Sequence, residues 1–143
     1  MVDRRLAVQA WESLFRAQHE IFERLTTDFD GSGLTGPEYD VLLTVTRAPE
    51  RTARLRDVTA NMLISQPSVS RLVDRMVARG LVTKCADPED GRGALVTATE
   101  AGERAFRAVA ARHGKHIVER MQVLDDEELR TLRELTQKLR DAL

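Results

Sequence analysis

The stretch "ISQPSVSRLVDRMVARGL", Ile64 to Leu81, decides how the rest of this chain is read. Val69, Leu72, Val73, Met76 and Val77 recur at the spacing of one buried helical face. Ser65 is a natural N-cap, and Pro67 is tolerated in a first turn, where its missing N–H costs no hydrogen bond. Gly80 ends the helix, with Leu81 placed for the apolar contact of a C-cap motif. The leading end is crowded with small polar groups, Gln66, Ser68 and Ser70, and Arg71 and Arg75 follow one turn apart. Short polar side chains can approach base edges in the major groove, while arginine can meet phosphate or take guanine O6 and N7 together. A helix with this leading end suits the reading position of a helix-turn-helix.

The flanking sequence supplies the rest of such a unit. A short helix reads from about Leu55 to Met62, almost continuous with the opening stretch, after a turn-like "TRAPERTA". Before it, "LTGPEYDVLLTV" starts a helix that Thr35 can cap, with Glu38 completing a capping box and Pro37 suited to the first turn. Downstream, "LVTKCA" and "ALVTAT" read as two short strands around the polar tip "DPEDGRG", a hairpin. Arg92, between Gly91 and Gly93 at that tip, can enter the adjacent minor groove, and Asp90 can orient it or pair with an arginine of the helix.

Farther out the chain is helical. Leu6 to Phe29 reads as one long helix with two apolar stripes, on which Trp11, Phe15, Phe22 and Phe29 fall within roughly 40° of one another at about 100° per residue. An alanine-rich helix runs from Thr99 to about Met121, and its Gly114 marks a candidate close approach of another helix. Asp125 and Glu128 make a second capping box for a last helix, whose Leu129, Leu132, Leu135, Leu139 and Ala142 are spaced like a coiled-coil seam. The fold expected is mainly α (α+β), a winged helix-turn-helix with a two-stranded wing between long N- and C-terminal helices.

Composition narrows the function classes. The formal net charge of the 143 residues is only -1, but it is unevenly spread. Residues 1–50 carry nine acids and five bases, whereas residues 51–80 carry Arg51, Arg54, Arg56, Arg71, Arg75 and Arg79 against only Asp57 and Asp74. Positive charge gathered around one helix is the footprint expected for nucleic acid. No glycine-rich phosphate loop, nucleophile elbow or HExxH motif is present, so no enzyme is expected. No metal or other cofactor is expected either, because His113 and His116 have only His19 to join them. Lone Cys85 cannot form an internal disulfide, and the absence of a signal peptide or membrane-length apolar run places the protein in the cytoplasm.

From "LTGPEYDVLLTV" through "LRDVTANMLISQPSVSRLVDRMVARGLV" to "DPEDGRGALVTATEAG", the chain resembles the MarR family of bacterial winged-helix regulators. The "SRLVDRM..RGLV" segment and the "D.R" wing motif, here Asp90 and Arg92, carry the resemblance most specifically. One departure is Ala98-Thr99, where the family usually has Leu-Thr. The resemblance implies a single domain over residues 1–143, with a DNA-binding lobe at 35–99 and a helical dimerisation lobe from 1–30 and 100–143. It implies a homodimer joined by the first, fifth and sixth helices on a pseudo-palindromic operator, acting most often as a repressor released by a small aromatic or phenolic ligand. The dimer also follows from the apolar seam of the last helix and the outer stripe of the first, which would otherwise face water. Two-fold symmetry would then set the reading helices about 34 Å apart, one turn of DNA.

The DNA-contacting set is thus Ser65, Gln66, Pro67, Ser68, Ser70, Arg71, Arg75, Asp90 and Arg92. In similar proteins the ligand lies between the dimerisation helices and the DNA-binding lobe, which points to Trp11 and Phe15 with Arg16 or His19 for an aromatic carboxylate. The competing reading of those aromatics is a plain core. Redox-sensing relatives carry their thiol on the first helix, which here has none, so Cys85 is expected to be a quiet strand residue. The rival to the whole DNA reading is a winged-helix protein-interaction module, which would tolerate loss of Arg71 or Arg92.

Overall fold

Side-chain caps set where the helices begin. In the computed structural model, which describes residues 1–143, the order is α1 (Arg4–Leu25), a 3-10 turn (Thr26–Phe29), α2 (Gly36–Arg47), a second 3-10 turn (Pro49–Arg51), β1 (Thr52–Arg54), α3 (Leu55–Asn61), α4 (Val69–Ala78), β2 (Val82–Asp87), β3 (Asp90–Ala98), α5 (Glu100–Met121) and α6 (Asp126–Asp141). At α2 the Glu38 N–H donates to Thr35 Oγ1 at 3.3 Å and the Thr35 N–H donates to Glu38 Oε1 at 2.9 Å, the expected box. Asp125 and Glu128 start α6 in the same reciprocal way, both bonds at 2.9 Å.

The start of α4 differs from expectation. Ser68, not Ser65, is its N-cap, with its Oγ accepting the Arg71 N–H at 3.2 Å. Ser65, Gln66 and Pro67 lie in the connecting loop. Two forces delay the helix. Pro67 disfavours helical backbone at Gln66, and the N–H groups of Leu63 and Ile64 are held by Asp40 Oδ2 at 2.6 and 2.8 Å. Leu72, Val73 and Met76 form the buried face, with Val69 half-buried against the core, whereas Val77 turns outward and is exposed. Gly80 closes the helix at φ +74, where the Gly80 and Leu81 N–H groups donate to the Val77 and Met76 carbonyls, each at 3.0 Å.

The chain divides into two units, one of residues Thr26–Arg112 and one of Met1–Leu25 with His113–Leu143. The first therefore takes in the 3-10 turn and half of α5 in addition to residues 35–99. Its core joins Val41, Leu42 and Val45 of α2, Val58 of α3, the buried face of α4, Val82 and Val96 of the sheet, and Val109 of α5. Tyr39 lies beside it between Phe29 and Phe106, with ring centroids 5.3 and 5.1 Å away, and burial raises its phenol pKa above the ordinary value. Phe29 has thus left the aromatic ridge expected of α1, because that helix ends at Leu25.

The sheet has three strands rather than two, in the order β1-β3-β2, antiparallel throughout. Part of the segment expected only to turn forms β1, whose buried Ala53 pairs with Val96. In the wing Asp87 pairs with Asp90, leaving Pro88 and Glu89 as a two-residue turn beside a register shift at Ala86 and Asp87. Asp90, Gly91, Arg92 and Gly93 are therefore the first residues of β3 and not its tip. Ala98 is buried opposite Val82, so the smaller residue still belongs to the core.

At α5 the close approach is at Gly102 and not at Gly114. A Cβ on Gly102 would sit 2.0 Å from the Leu81 carbonyl oxygen, whereas one on Gly114 would meet nothing within 4 Å. Thr99 ties the same junction: its hydroxyl donates to the Gly80 carbonyl at 2.6 Å and accepts the Gly102 N–H at 3.0 Å.

In the other unit, α1, the end of α5 and α6 line a groove of about 690 Å³ with Leu14, Ala17, Ile21, Met121, Leu129 and Leu132. Much of its remaining apolar surface is open, including Trp11, Phe15, Leu135 and Leu139. No helix is long and apolar enough to cross a membrane.

Candidate nucleic-acid interface

The first turn of α4 contains no acid, and Arg71 stands at its third position. A cation there opposes the positive end of the helix dipole, an arrangement that favours an incoming anion over the isolated fold. Ser70, Arg71 and Arg75 are exposed, and the buried Leu72, Val73 and Met76 fix the direction in which they project. Ser68 is committed to the cap, and Gln66 donates locally to the Ser65 carbonyl at 2.9 Å. Of the small polar residues singled out, Ser70 and Ser65 therefore keep side chains without an internal cap role.

Charge on the six arginines of residues 51–80 is divided cleanly. Arg51 pairs with Glu103, and Arg79 pairs with the buried Glu38 while donating to the Gly33 carbonyl at 2.6 Å. Arg54 clamps the wing, reaching Asp87 Oδ2 at 3.2 Å and Glu89 Oε2 at 2.6 Å. Arg56, Arg71 and Arg75 enter no ion pair, and neither does Arg92 of β3. Asp74, the acid nearest Arg75 in sequence, instead receives Lys84 Nζ at 3.0 Å and ties α4 to β2. The expected role of Asp90 also changes. Its Oδ1 accepts the backbone N–H of Arg92 at 3.1 Å, which shapes the strand entry and leaves the guanidinium alone.

Between α3, α4 and the wing lies an open cleft of about 620 Å³, lined by Arg56 and Thr59 from α3, Ser70 from α4, and Lys84, Asp90 and Arg92 from the wing. The structure thus gathers Ser70, Asp90 and Arg92 around one depression and keeps Arg71 and Arg75 on the same helix as Ser70. Sequence reasoning missed Arg54, Arg56 and Lys84, which line this cleft, and Asp40, which holds the loop that leads into α4. The clustering of arginine was a signal for Arg54 and Arg56; for Asp40 there was none.

Residues 32–93 match the sequence model of the MarR family. That match takes in α2, α3, α4, β2 and the start of β3, so the likeness to the family is carried by the winged-helix segment. No curated protein sequence matches the chain. Among solved structures, the MarR family transcriptional regulator Sco3205 from Streptomyces coelicolor, determined in complex with DNA, has a TM-score of 0.84 at 21% identity, covering 100% of this chain and 91% of its own. A MarR family transcriptional regulator from Rhodococcus sp. RHA1 has a TM-score of 0.80 at 25% identity, with 96% of each chain covered. A mutant MarR from E. coli complexed with operator DNA has a TM-score of 0.77 at 20% identity, covering 96% of this chain and 99% of its own. The MarR-like architecture therefore extends beyond the winged helix to nearly the whole chain.

The residues expected to hold a ligand lie together on α1. Trp11 and Phe15 have ring centroids 5.7 Å apart, Phe15 stacks on His19 at 6.3 Å, and His19 Nε2 lies 3.5 Å from Glu23 Oε1. With Arg16, Glu12 and Glu20 they border a shallow cleft of about 260 Å³. Within the single chain Trp11 and Phe15 are 61% and 55% exposed, outside its core. Cys85 is exposed in β2, opposite Leu95.

Proposed function

We propose that this protein is a transcriptional regulator that binds double-stranded DNA as a homodimer, with α4 in the major groove and the wing against the adjacent minor groove. The observation that carries the reading is the division of the arginines. Arg71, Arg75 and Arg92 remain exposed without an acidic partner while neighbouring cations are consumed in the fold. DNA in the complexes of Sco3205 and the E. coli protein supports the same partner for this chain. The second copy is supported by the open apolar surface of Leu135 and Leu139 on α6. A pseudo-palindromic operator follows from two-fold symmetry, and repression in the cytoplasm is the transcriptional outcome we assign.

An effector reading rests on Trp11, Phe15, Arg16 and His19. Two aromatic rings beside Arg16 suit a small aromatic acid, while Glu12 and Glu20 on the same cleft favour a weakly charged or phenolic compound over a dianion. Binding there quenches Trp11, the lone tryptophan; a compound that releases DNA with Trp11 emission unchanged acts elsewhere.

Fluorescence anisotropy on the DNA upstream of the protein's own gene and on an unrelated duplex, across a salt series, tests the function. Tighter binding to the upstream duplex that survives raised salt is the expected result. Equal and steeply salt-dependent binding would reduce the site to a basic surface, and no binding would return the fold to a protein-interaction role.

A further inference from the structure

The cleft between α3, α4 and the wing contains a cation that no part of the base-reading scheme uses. Arg56 projects from the first turn of α3, is exposed, and has no ion pair, while Ser70 and Arg92 stand on the other walls of the same depression. Two acids also border the cleft, Asp87 and Asp90, which by themselves would repel an anion. Asp87 is buried and paired with Arg54, which leaves Asp90, its Oδ1 accepting the Arg92 N–H, as the one acid of the cleft without an ion pair, against the two unpaired guanidiniums of Arg56 and Arg92.

The topology of a DNA duplex says what must pass here. Adjacent major and minor grooves are separated by one sugar–phosphate strand. If α4 enters the first and β3 brings Arg92 to the second, that strand has to cross the space between them, which is this cleft. We propose that Arg56 is a DNA-backbone contact that, with Ser70 and Arg92, seats the phosphates of the strand dividing the two grooves, and that Arg54 is the positioning residue that neutralises Asp87 and fixes the wing for it. This assignment rests on the DNA-binding reading above and adds to it a residue outside both α4 and the wing. Phosphate contacts fix register without reading sequence, so Arg56 contributes equally on any duplex.

The test is anisotropy with Arg56→Ala on the upstream duplex and on the unrelated one, over a salt series, beside Arg71→Ala and Arg104→Ala. Arg104 lies on α5 outside the cleft and controls for the loss of one charge anywhere on the surface. Arg56→Ala should weaken both duplexes by the same factor and lower the slope of log affinity against log salt by about 0.9 for each protomer bound. Arg71→Ala should instead narrow the preference for the upstream duplex, and Arg104→Ala should change neither quantity. Wild-type binding with an unaltered affinity and slope in Arg56→Ala overturns the backbone contact alone. A loss confined to the upstream duplex also overturns it, because the arginine would then read a base. If wild type binds neither duplex, the DNA reading fails and this assignment falls with it.

Discussion

The two units of this protein use their apolar side chains differently. In the winged-helix unit Val41, Leu42, Val45, Val58, Val73 and Met76 are completely buried, and three of its four buried acids, Glu38, Asp40 and Asp87, are held by Arg79, by the Leu63 and Ile64 N–H groups and by Arg54. In the helical unit Leu135 and Leu139 are 57% and 60% exposed, and α6 buries none of its residues. One unit closes its core within the chain, whereas the other leaves an apolar surface that a second copy would cover.

Core truncation should separate the units most strongly. Met76→Ala is expected to destabilise the winged-helix unit by about 2 to 5 kcal/mol in urea unfolding, from lost burial plus the cavity left behind. A cost under 1 kcal/mol would show that the core beneath α4 relaxes freely. The glycines of α5 then give a matched pair, one in each unit. Gly102→Ala should cost about 1 to 3 kcal/mol because its Cβ meets the Leu81 carbonyl, while Gly114→Ala should gain up to about 1 kcal/mol of helix propensity in open space. Opposite signs in thermal unfolding support the comparison, and equal signs break it. If Gly114 instead faces the partner copy closely, the alanine variant will weaken the dimer in sedimentation.

Leu135→Glu combined with Leu139→Glu sharpens the comparison from the other side. The pair should shift the protein from dimer to monomer in analytical ultracentrifugation while the ellipticity of the isolated chain changes little, since neither side chain is buried within it. An unchanged mass would remove the helical surface from the interface. The smallest effect concerns Tyr39. Its folded pKa is raised, chiefly by burial, with Arg47 lowering it and Asp40 raising it. Its stabilising contribution is thus fully present below the unfolded value near 10 and is lost as pH rises through the folded value. Tyr39→Phe should flatten the fall in stability above pH 10 in urea titrations; an identical fall would assign it to other groups.

What the sequence made legible was chemistry closed within one helical turn. The Thr35–Glu38 and Asp125–Glu128 boxes and the Gly80 terminus each depend on residues a few positions apart, and each formed as read. The choice between Ser65 and Ser68 as cap was illegible because it turns on Asp40, more than twenty residues away, which holds Leu63 and Ile64. Strand β1 is three residues long, too short for alternation to register, and exists through its pairing with β3. The arginine cluster was visible as a cluster, but which members serve the fold depended on Glu38, Asp87 and Glu103, each distant in sequence. The aromatic ridge of α1 was legible up to Phe22 and failed at Phe29, where the helix had already ended.

If, among the arginines of residues 51–92, the unpaired ones serve DNA and the paired ones the fold, one pair of variants separates the two roles: upstream-duplex affinity and urea stability of Arg71→Ala and Arg79→Ala. Arg71→Ala should lose about 1 to 3 kcal/mol of preference for its site with stability unchanged within about 0.5 kcal/mol. Arg79→Ala should lose about 1 to 2 kcal/mol of stability, an amount reduced by the half-exposed position of the arginine above the buried Glu38. Arg71→Ala binding its upstream duplex like wild type would contradict the account.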